Sequence, residues 1–387
     1  MTVEPTPEPT PEPTPVPAPV PTPVPEPAGT QHQFACPSCG AALEFAPGTA
    51  GLTCPYCGAT LDIAAPAAGS AKLDFVAYSG KARTPVADLP PFSLSCRNCG
   101  SAQQTTAIAG RCSSCRGPIV VSDDLGGQLK APDGVVPFVV DQVNAVAAFK
   151  EWVSSRWFAP TKLKKVGTTE SMRGTYLPHW GFDDSTTTDY TGRRGEHYYT
   201  TESYTTQENG QTVTRTRQVQ HTRWYPASGR VSRDFVDVLE TAVNQPDRET
   251  LDKLGPWSSA IATGYEAQYL AGFDTPRYDV EAEQGFGAAR QYMASVIEGD
   301  CRSDIGGDEQ QVSSMQTYDT DVLFRLLLLP LWVATYVLGG AVFDVYVNAN
   351  TGKVIGERPY SWVKITAAVI AALLVTATLV FVYQSNR

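Results

Sequence analysis

The sequence predicts an α+β protein with two small zinc-ribbon modules, a body of mixed antiparallel β-sheet plus helices, and one C-terminal transmembrane helix. Three observations predict it. Eight of the nine cysteines fall in four Cys-x-x-Cys pairs. The middle of the chain switches between helical periodicity and runs rich in β-branched and aromatic residues. An uncharged stretch of nineteen residues, 365–383, stands near the C-terminus. At 387 residues the chain exceeds one compact core, and it divides into an arm (1–30), ribbon 1 (31–66), a linker (67–91), ribbon 2 (92–122), a body (135–360) and the apolar helix (365–383).

The arm carries a proline at every second position from Pro5 to Pro27. Half its backbone donors are gone and half its φ angles are fixed, so it reads as a polyproline-II spacer, about 70 Å long if fully extended. It holds Glu4, Glu8, Glu12 and Glu26 and no Lys or Arg. All its prolines are at odd positions, so the P-x-x-P spacing of proline-groove ligands is absent. Nor does it have the basic start and apolar run of a signal peptide.

The ribbons carry the strongest signal. Cys36-Pro-Ser-Cys39 is followed by Cys54-Pro-Tyr-Cys57, and Cys96-Arg-Asn-Cys99 by Cys112-Ser-Ser-Cys115. Two intervening residues let one tight turn aim both sulfurs at a single tetrahedral ion. A glycine follows three of the knuckles (Gly40, Gly58, Gly100) and can take the positive φ that brings backbone amides close to the sulfurs. Short apolar runs, Leu61-Asp62-Ile63 and Ile119-Val120-Val121, then suit strands that close each ribbon. Four protein ligands leave no open coordination position, so both sites read as structural, each expected to hold one Zn2+; iron, disulfide and redox pairings are the alternatives. Each repeat is complete in itself, which favours sequential pairing over a cross-brace.

Charge speaks to what such ribbons touch. The chain carries 30 Lys+Arg against 40 Asp+Glu, a formal charge of −10, and two four-thiolate zinc sites would take it to roughly −14. Ribbon 1 has Glu44 and Asp62 and no cationic side chain; ribbon 2 has Arg97, Arg111 and Arg116, followed at once by Asp123 and Asp124. A phosphate backbone needs clustered Lys and Arg, so protein partners are favoured over nucleic acid.

In the body, Asp141 caps an expected helix over 141–158, and helices resume near 257–270 and 281–299. Strands are expected between about 175 and 240, with Tyr198–Gln207 pairing Thr212–Trp224 across Glu208-Asn209-Gly210. On that hairpin Arg215, Arg217 and Arg223 form either an anion-binding face or a solvated surface over aromatics. Leu326 to Phe343 reads as a buried hairpin turning at Gly339-Gly340 rather than a second membrane span. A weak internal echo joins Leu177-Pro178-His179-Trp180, ahead of Tyr190-Thr191-Gly192, to Leu329-Pro330-Leu331-Trp332, ahead of Asn350-Thr351-Gly352.

The helix over 365–383 would rise about 28 Å, close to the hydrocarbon thickness, with Tyr360, Trp362 and Tyr383 as interfacial anchors. Lys353, Arg358 and Lys364 before it, against Arg387 after it, place the large N-terminal portion in the cytoplasm and the protein in the inner (cytoplasmic) membrane as a single span.

Catalytic constellations are scarce. There is no G-x-x-x-x-G-K-[ST] loop, H-E-x-x-H or G-x-S-x-G. His179 with Asp183 and Asp184, His197 with Glu196, and Asp304-Ile-Gly-Gly-Asp308-Glu309 suit turn, cap and surface roles. Cys301 is an unpaired, inert thiol. The expectation is a protein that is not an enzyme.

The paired knuckles, Trp157-Phe158-Ala159-Pro160, Tyr176-Leu177-Pro178-His179-Trp180, Asp304–Glu309 and Val347–Val354 before a C-terminal helix resemble a bacterial group of membrane-anchored double zinc-ribbon proteins. Those proteins are labelled TFIIB-type zinc ribbon or primosomal/helicase-like. The resemblance covers about 30–387 and carries zinc ligation onto Cys36, Cys39, Cys54, Cys57, Cys96, Cys99, Cys112 and Cys115. The helicase label lacks its phosphate-binding loop here. The resemblance implies a role beside SPFH/flotillin-like or phage-shock-type membrane-stress proteins. The expected function is therefore a membrane-anchored scaffold that recruits cytosolic protein partners; a tethered nucleic-acid-binding protein is the alternative.

Overall fold

A computed structural model of the chain describes residues 31–32, 34–64, 70–121, 129–155, 172–208, 211–338, 341–356 and 362–385. The proline arm, the Trp157–Pro160 motif, the Asn209-Gly210 and Gly339-Gly340 turns, and Arg358, Tyr360 and Arg387 lie outside them.

Ribbon 1 follows β1 (Gln31–His32) and is an antiparallel sheet of β2 (Glu44–Phe45), β3 (Gly51–Thr53) and β4 (Thr60–Asp62). Next come β5 (Leu73–Asp74) and a short α1 (Phe75–Ser79). Ribbon 2 pairs β6 (Phe92–Ser95) with β7 (Ala102–Thr105), and β8 (Ala107–Arg111) with β9 (Pro118–Val121). β1 adds to β9, so the strand entering ribbon 1 belongs to the sheet of ribbon 2.

The body begins with β10 (Gly134–Val135) and α2 (Gln142–Ser154), whose N-cap Asp141 accepts from the Asn144 amide at 2.7 Å. Ala145, Val146, Phe149 and Val153 are its buried stripe. Then follow β11 (Met172–Glu208), β12 (Gln211–Thr241), α3 (Arg248–Leu254), β13 (Thr263–Gly264) and β14 (Thr275–Pro276), the last pairing β8 of ribbon 2. α4 (Ala282–Ile305) opens on a capping box of Glu281 and Gln284. β15 (Glu309–Leu338), β16 (Ala341–Asn348), β17 (Val354–Gly356) and α5 (Trp362–Ser385) complete the order.

The main sheet runs β12-β11-β15, with β16 paired to the far end of β15. β11, β12 and β15 are 37, 31 and 30 residues long, where about 5–6 is usual. β11 and β12 continue past the start of β15, so from Glu196 to Arg223 they stand as a two-stranded ribbon. There Arg223 lies over Tyr198 (5.0 Å) and Arg217 over Tyr204 (5.8 Å), the solvated-surface arrangement of the two expected.

The internal echo is real, and wider than the sequence suggests. Leu177 faces Leu329 across the β11–β15 ladder, so a local two-fold through that pair carries Pro178 onto Pro330 and Trp180 onto Trp332. The Trp180 indole N–H donates to the Val280 carbonyl ahead of α4; that of Trp332 donates to the Val140 carbonyl ahead of α2, both at 2.8 Å. Trp180 meets Tyr278 edge-on at 5.1 Å, and Trp332 meets Phe138 at 5.0 Å. Ala242 donates to Pro178 O and accepts from the amides of Asp279 and Val280, while Ala349 donates to Pro330 O and accepts from those of Val139 and Val140. The body is thus two α-β-β halves, α2-β11-β12 and α4-β15-β16. Each proline sits where its strand exchanges one outer neighbour for another, so its missing N–H leaves no gap in a ladder. The expected strand ends do not correspond: Thr191-Gly192 lies inside β11, whereas Thr351-Gly352 is a turn.

Two expectations need correction. The α+β balance gives way to a mostly β architecture, because unbroken Thr-, Tyr- and Arg-rich runs extend each hairpin far beyond ordinary strand length, and 257–270 holds only 3-10 turns (Ser259–Ile261, Ala267–Leu270) and β13. The transmembrane helix is the second. Among the described residues no helix is long and apolar enough to cross a membrane. The single-pass inner-membrane placement, and the orientation drawn from Lys353, Arg358 and Lys364, fall with it.

Ribbons and body share one core. Phe45 of ribbon 1 packs on Tyr269 (5.1 Å) and Phe273 (6.1 Å), and Phe273 on Phe138 (4.4 Å).

Candidate metal centres

Each Cys-x-x-Cys turn is closed the same way. The amide four residues after the first cysteine donates back to its carbonyl: Gly40 to Cys36 (2.9 Å), Gly58 to Cys54 (3.0 Å), Gly100 to Cys96 (2.7 Å) and Arg116 to Cys112 (3.0 Å). All four donors have left-handed φ, 75°, 73°, 77° and 62°. Glycine suits that region at three knuckles; at the fourth, Arg116 occupies it, and Gly117 comes one place late.

These turns gather the sulfurs of Cys36, Cys39, Cys54 and Cys57 into one group and those of Cys96, Cys99, Cys112 and Cys115 into another, all within 4.8 Å of one another in each. The pairing is sequential. Cys36–Cys57 and Cys39–Cys54 lie 3.5 and 3.6 Å apart, Cys96–Cys115 and Cys99–Cys112 3.7 and 3.8 Å. A tetrahedron with Zn–S bonds of about 2.3 Å has edges of about 3.8 Å, so both groups fit a zinc ion. Two groups of four cysteines could each hold one, which gives two structural sites. In each, the first cysteine of a knuckle is buried in the ribbon core; Cys39, Cys57 and Cys99 are exposed.

The thiols are unequal. The Ser38 amide draws Cys36 down to about 6, while Cys57, despite the Ala59 amide, is driven up to about 12 by its hydrogen bonds to Cys36 and Cys54. Burial raises Cys96 to about 11; Cys112, although buried, is drawn down to about 6 by the Ser101 hydroxyl and the Cys115 and Ser114 amides. Four thiolates so close repel one another, and a divalent cation relieves this while displacing protons. The Asn98 amide group (3.3 Å from Cys115 Sγ) and the Ser101 hydroxyl (3.4 Å from Cys112 Sγ) give ribbon 2 donors that its Cys-x-x-Cys spacing did not disclose.

Arg111 ties the ribbons together and to the body. It forms a two-point ion pair with Glu44 (2.7 and 3.0 Å) and donates to the Gly272 carbonyl (3.2 Å).

The remaining sequence candidates do not assemble into a site. His179 is buried, its Nδ1 3.0 Å from the Leu177 carbonyl, and burial lowers it to about 4. Asp183 pairs with Lys72 (2.5 Å), whereas Asp184, past a bulge, faces the other way. Asp304 accepts from the Tyr190 hydroxyl (2.6 Å), Asp308 from the His197 amide (2.6 Å), and Glu309 lies 2.8 Å from His197 Nε2. These acids hold the α4–β15 turn against β11. Glu196 pairs with Arg194 (3.1 Å). Cys301 is wholly buried in α4, and burial raises its thiol.

An uncharacterized protein of Bacillus subtilis (strain 168), YdjG, is 26% identical over 253 residues, covering 65% of this chain and 70% of its own. No family profile matches the chain, and no solved structure matches it.

Proposed function

We propose that the protein is a non-catalytic adaptor whose two zinc ribbons, braced on a β-sheet body, present their knuckles to protein partners. The observation that carries this reading is the outward face of the clusters. Each is closed to further ligands, yet the residues between the paired cysteines stand in solvent, with Tyr56 83% exposed at the tip of ribbon 1. An exposed aromatic flanked by proline, with no cation in its ribbon, suits a protein surface better than a phosphate backbone. Arg111, one of the three cations of ribbon 2, is already engaged with Glu44. Membership of the double zinc-ribbon group, and partners of the flotillin-like or phage-shock type, belong to this proposal through the resemblance of the motifs.

The zinc-loaded chain and its Tyr56→Ser variant, used in parallel to retain binding proteins, test it. A discrete protein partner held by the first and lost from the second is expected. Retention of duplex DNA with steep salt dependence, and of no partner, would overturn it.

A further inference from the structure

The two ribbons share a cysteine pattern but not the side chains around the sulfurs, and the difference leaves one cluster open to attack. Cys36, Cys39, Cys54 and Cys57 correspond in order to Cys96, Cys99, Cys112 and Cys115. In ribbon 2, side chains other than cysteine hold the cluster. The Asn98 amide group reaches from the first knuckle to Cys115 Sγ in the second (3.3 Å). The Ser101 hydroxyl lies between Cys99 Sγ (3.3 Å) and Cys112 Sγ (3.4 Å). Gln103 Oε1 accepts from the amide and the hydroxyl of Ser113 (3.1 and 3.2 Å) and so braces the second knuckle.

Ribbon 1 has Ser38, Ala41, Leu43 and Pro55 at the positions of Asn98, Ser101, Gln103 and Ser113. Among the described residues, the only side chains that hydrogen-bond its sulfurs are the cysteines themselves. Cover differs as well. Cys39 and Cys57 are both exposed, whereas in ribbon 2 Cys99 is exposed and Cys115, which Asn98 touches, is half-buried. Backbone amides reach the sulfurs of both ribbons and do not separate them. With zinc bound every sulfur is a thiolate and can only accept. A donor to a thiolate spreads its charge and weakens it as a nucleophile, so the bare, solvent-facing sulfurs of ribbon 1 are the better targets.

We propose that ribbon 1 is an oxidation site for hydroperoxides, which expel its zinc while ribbon 2 stays loaded. An exposed sulfur, that of Cys57 or Cys39, attacks the outer peroxide oxygen. The O–O bond breaks, the sulfur becomes a sulfenic acid, and the alkoxide leaves and takes up a proton to give the alcohol. The buried sulfur of the facing knuckle then attacks the sulfenic sulfur: Cys36, 3.5 Å from Cys57, or Cys54, 3.6 Å from Cys39. A disulfide forms, and the hydroxide that leaves takes a second proton to give water. Two thiolates have lost two electrons, and one hydroperoxide has gained them. The two thiolates that remain hold the ion far more weakly than four. Tyr56 lies between Cys54 and Cys57, so release also takes apart the tip offered to partners. That consequence alone rests on the adaptor reading.

The full zinc-loaded chain, treated with hydrogen peroxide, tests it without any partner. Released zinc is followed with a colorimetric indicator, and the oxidised cysteines are mapped by differential alkylation and mass spectrometry. One zinc ion leaves about tenfold or more faster than the other, and the first disulfide joins cysteines of ribbon 1. Asn98→Ser with Ser101→Ala gives ribbon 2 the residues of ribbon 1 and speeds the second release about fivefold or more. The reciprocal Ser38→Asn with Ala41→Ser slows the first release by a similar factor, and it decides the matter if the ribbon 2 variant fails to load two zinc ions. The proposal is overturned if both zinc ions leave together, if ribbon 2 is oxidised first, or if either loaded variant releases zinc as the parent does.

Discussion

Ribbons and body are both built by duplication, but the copies have been kept in different currencies. The ribbon copies keep residue identity, four cysteines at nearly the same spacing, because a tetrahedral ion needs a ligating side chain at every vertex and few residue types can serve. The body copies keep backbone geometry. Leu177 still faces Leu329, and two tryptophans still anchor the turns before α2 and α4, yet His179 answers Leu331 and Asp183 answers Thr335. A β-ladder is held by main-chain groups present in every residue, so its side chains are free to diverge.

The largest effect that would break this comparison is loss of metal. We expect about two zinc ions per chain by elemental analysis and about one after Cys96→Ser, since a site with three thiolates loses most of its affinity. Chelation should abolish amide protection over 34–63 and 92–121 while the β11–β15 ladder keeps its own, as read by hydrogen exchange. Two zinc ions that survive Cys96→Ser would show that the cysteines of ribbon 2 do not form one site.

The next effect tests whether the body halves are equivalent. Trp180 and Trp332 are both buried and hold matched hydrogen bonds, so Trp180→Ala and Trp332→Ala should each cost about 3–5 kcal/mol in denaturant titration. A large cost for only one would mean that the two-fold relates backbones but not their energetic roles.

A sharper contrast lies between the two arginines that the two-fold superposes. Arg325→Ala leaves Asp237 and Asp183 facing each other at low exposure with only Lys72 between them, and a loss of about 3 kcal/mol is expected. Arg173 is exposed and has no ion pair among the described residues, so Arg173→Ala should stay within about 0.5 kcal/mol of the parent. Equal losses would mean that the two superposed arginines carry the same energetic role.

How much could be read from the chain follows the same division. The metal sites were legible to the residue because cysteine spacing is itself the geometry. The hairpins at 198–224 and 334–347 were legible from strand-favouring composition and the turn residues between their arms. Of the body duplication only the two Leu-Pro-x-Trp segments survived in the letters, and the equivalence of Ala242 with Ala349 exists solely in main-chain hydrogen bonds. At 365–383 the uncharged run set an expectation of a membrane span that no helix among the described residues meets.

The smallest expected effect concerns the helix-facing side, where the halves differ in charge. Asp184 is buried there, while Ala334 and Tyr336 on the corresponding side of β15 are apolar. Neither carboxylate oxygen of Asp184 makes a regular hydrogen bond among the described residues, and the Thr320 amide offsets its burial only slightly. Burial, reinforced by the Asp319 carboxylate and only partly offset by Arg290, raises its pKa from 3.8 to about 6. The folded protein therefore holds this proton more tightly than the unfolded chain. Stability from this group is full below about pH 4 and declines as pH climbs towards 6, where the folded state must ionise a carboxyl that water would have ionised already. Asp184→Asn removes the penalty, so above pH 6 the variant should be more stable than the parent by about 1–3 kcal/mol, with the difference vanishing near pH 4. Chemical denaturation at a series of pH values reads both slopes. A variant that is less stable than the parent at pH 7 would mean that the charged form of Asp184 is the one the fold has been built to hold.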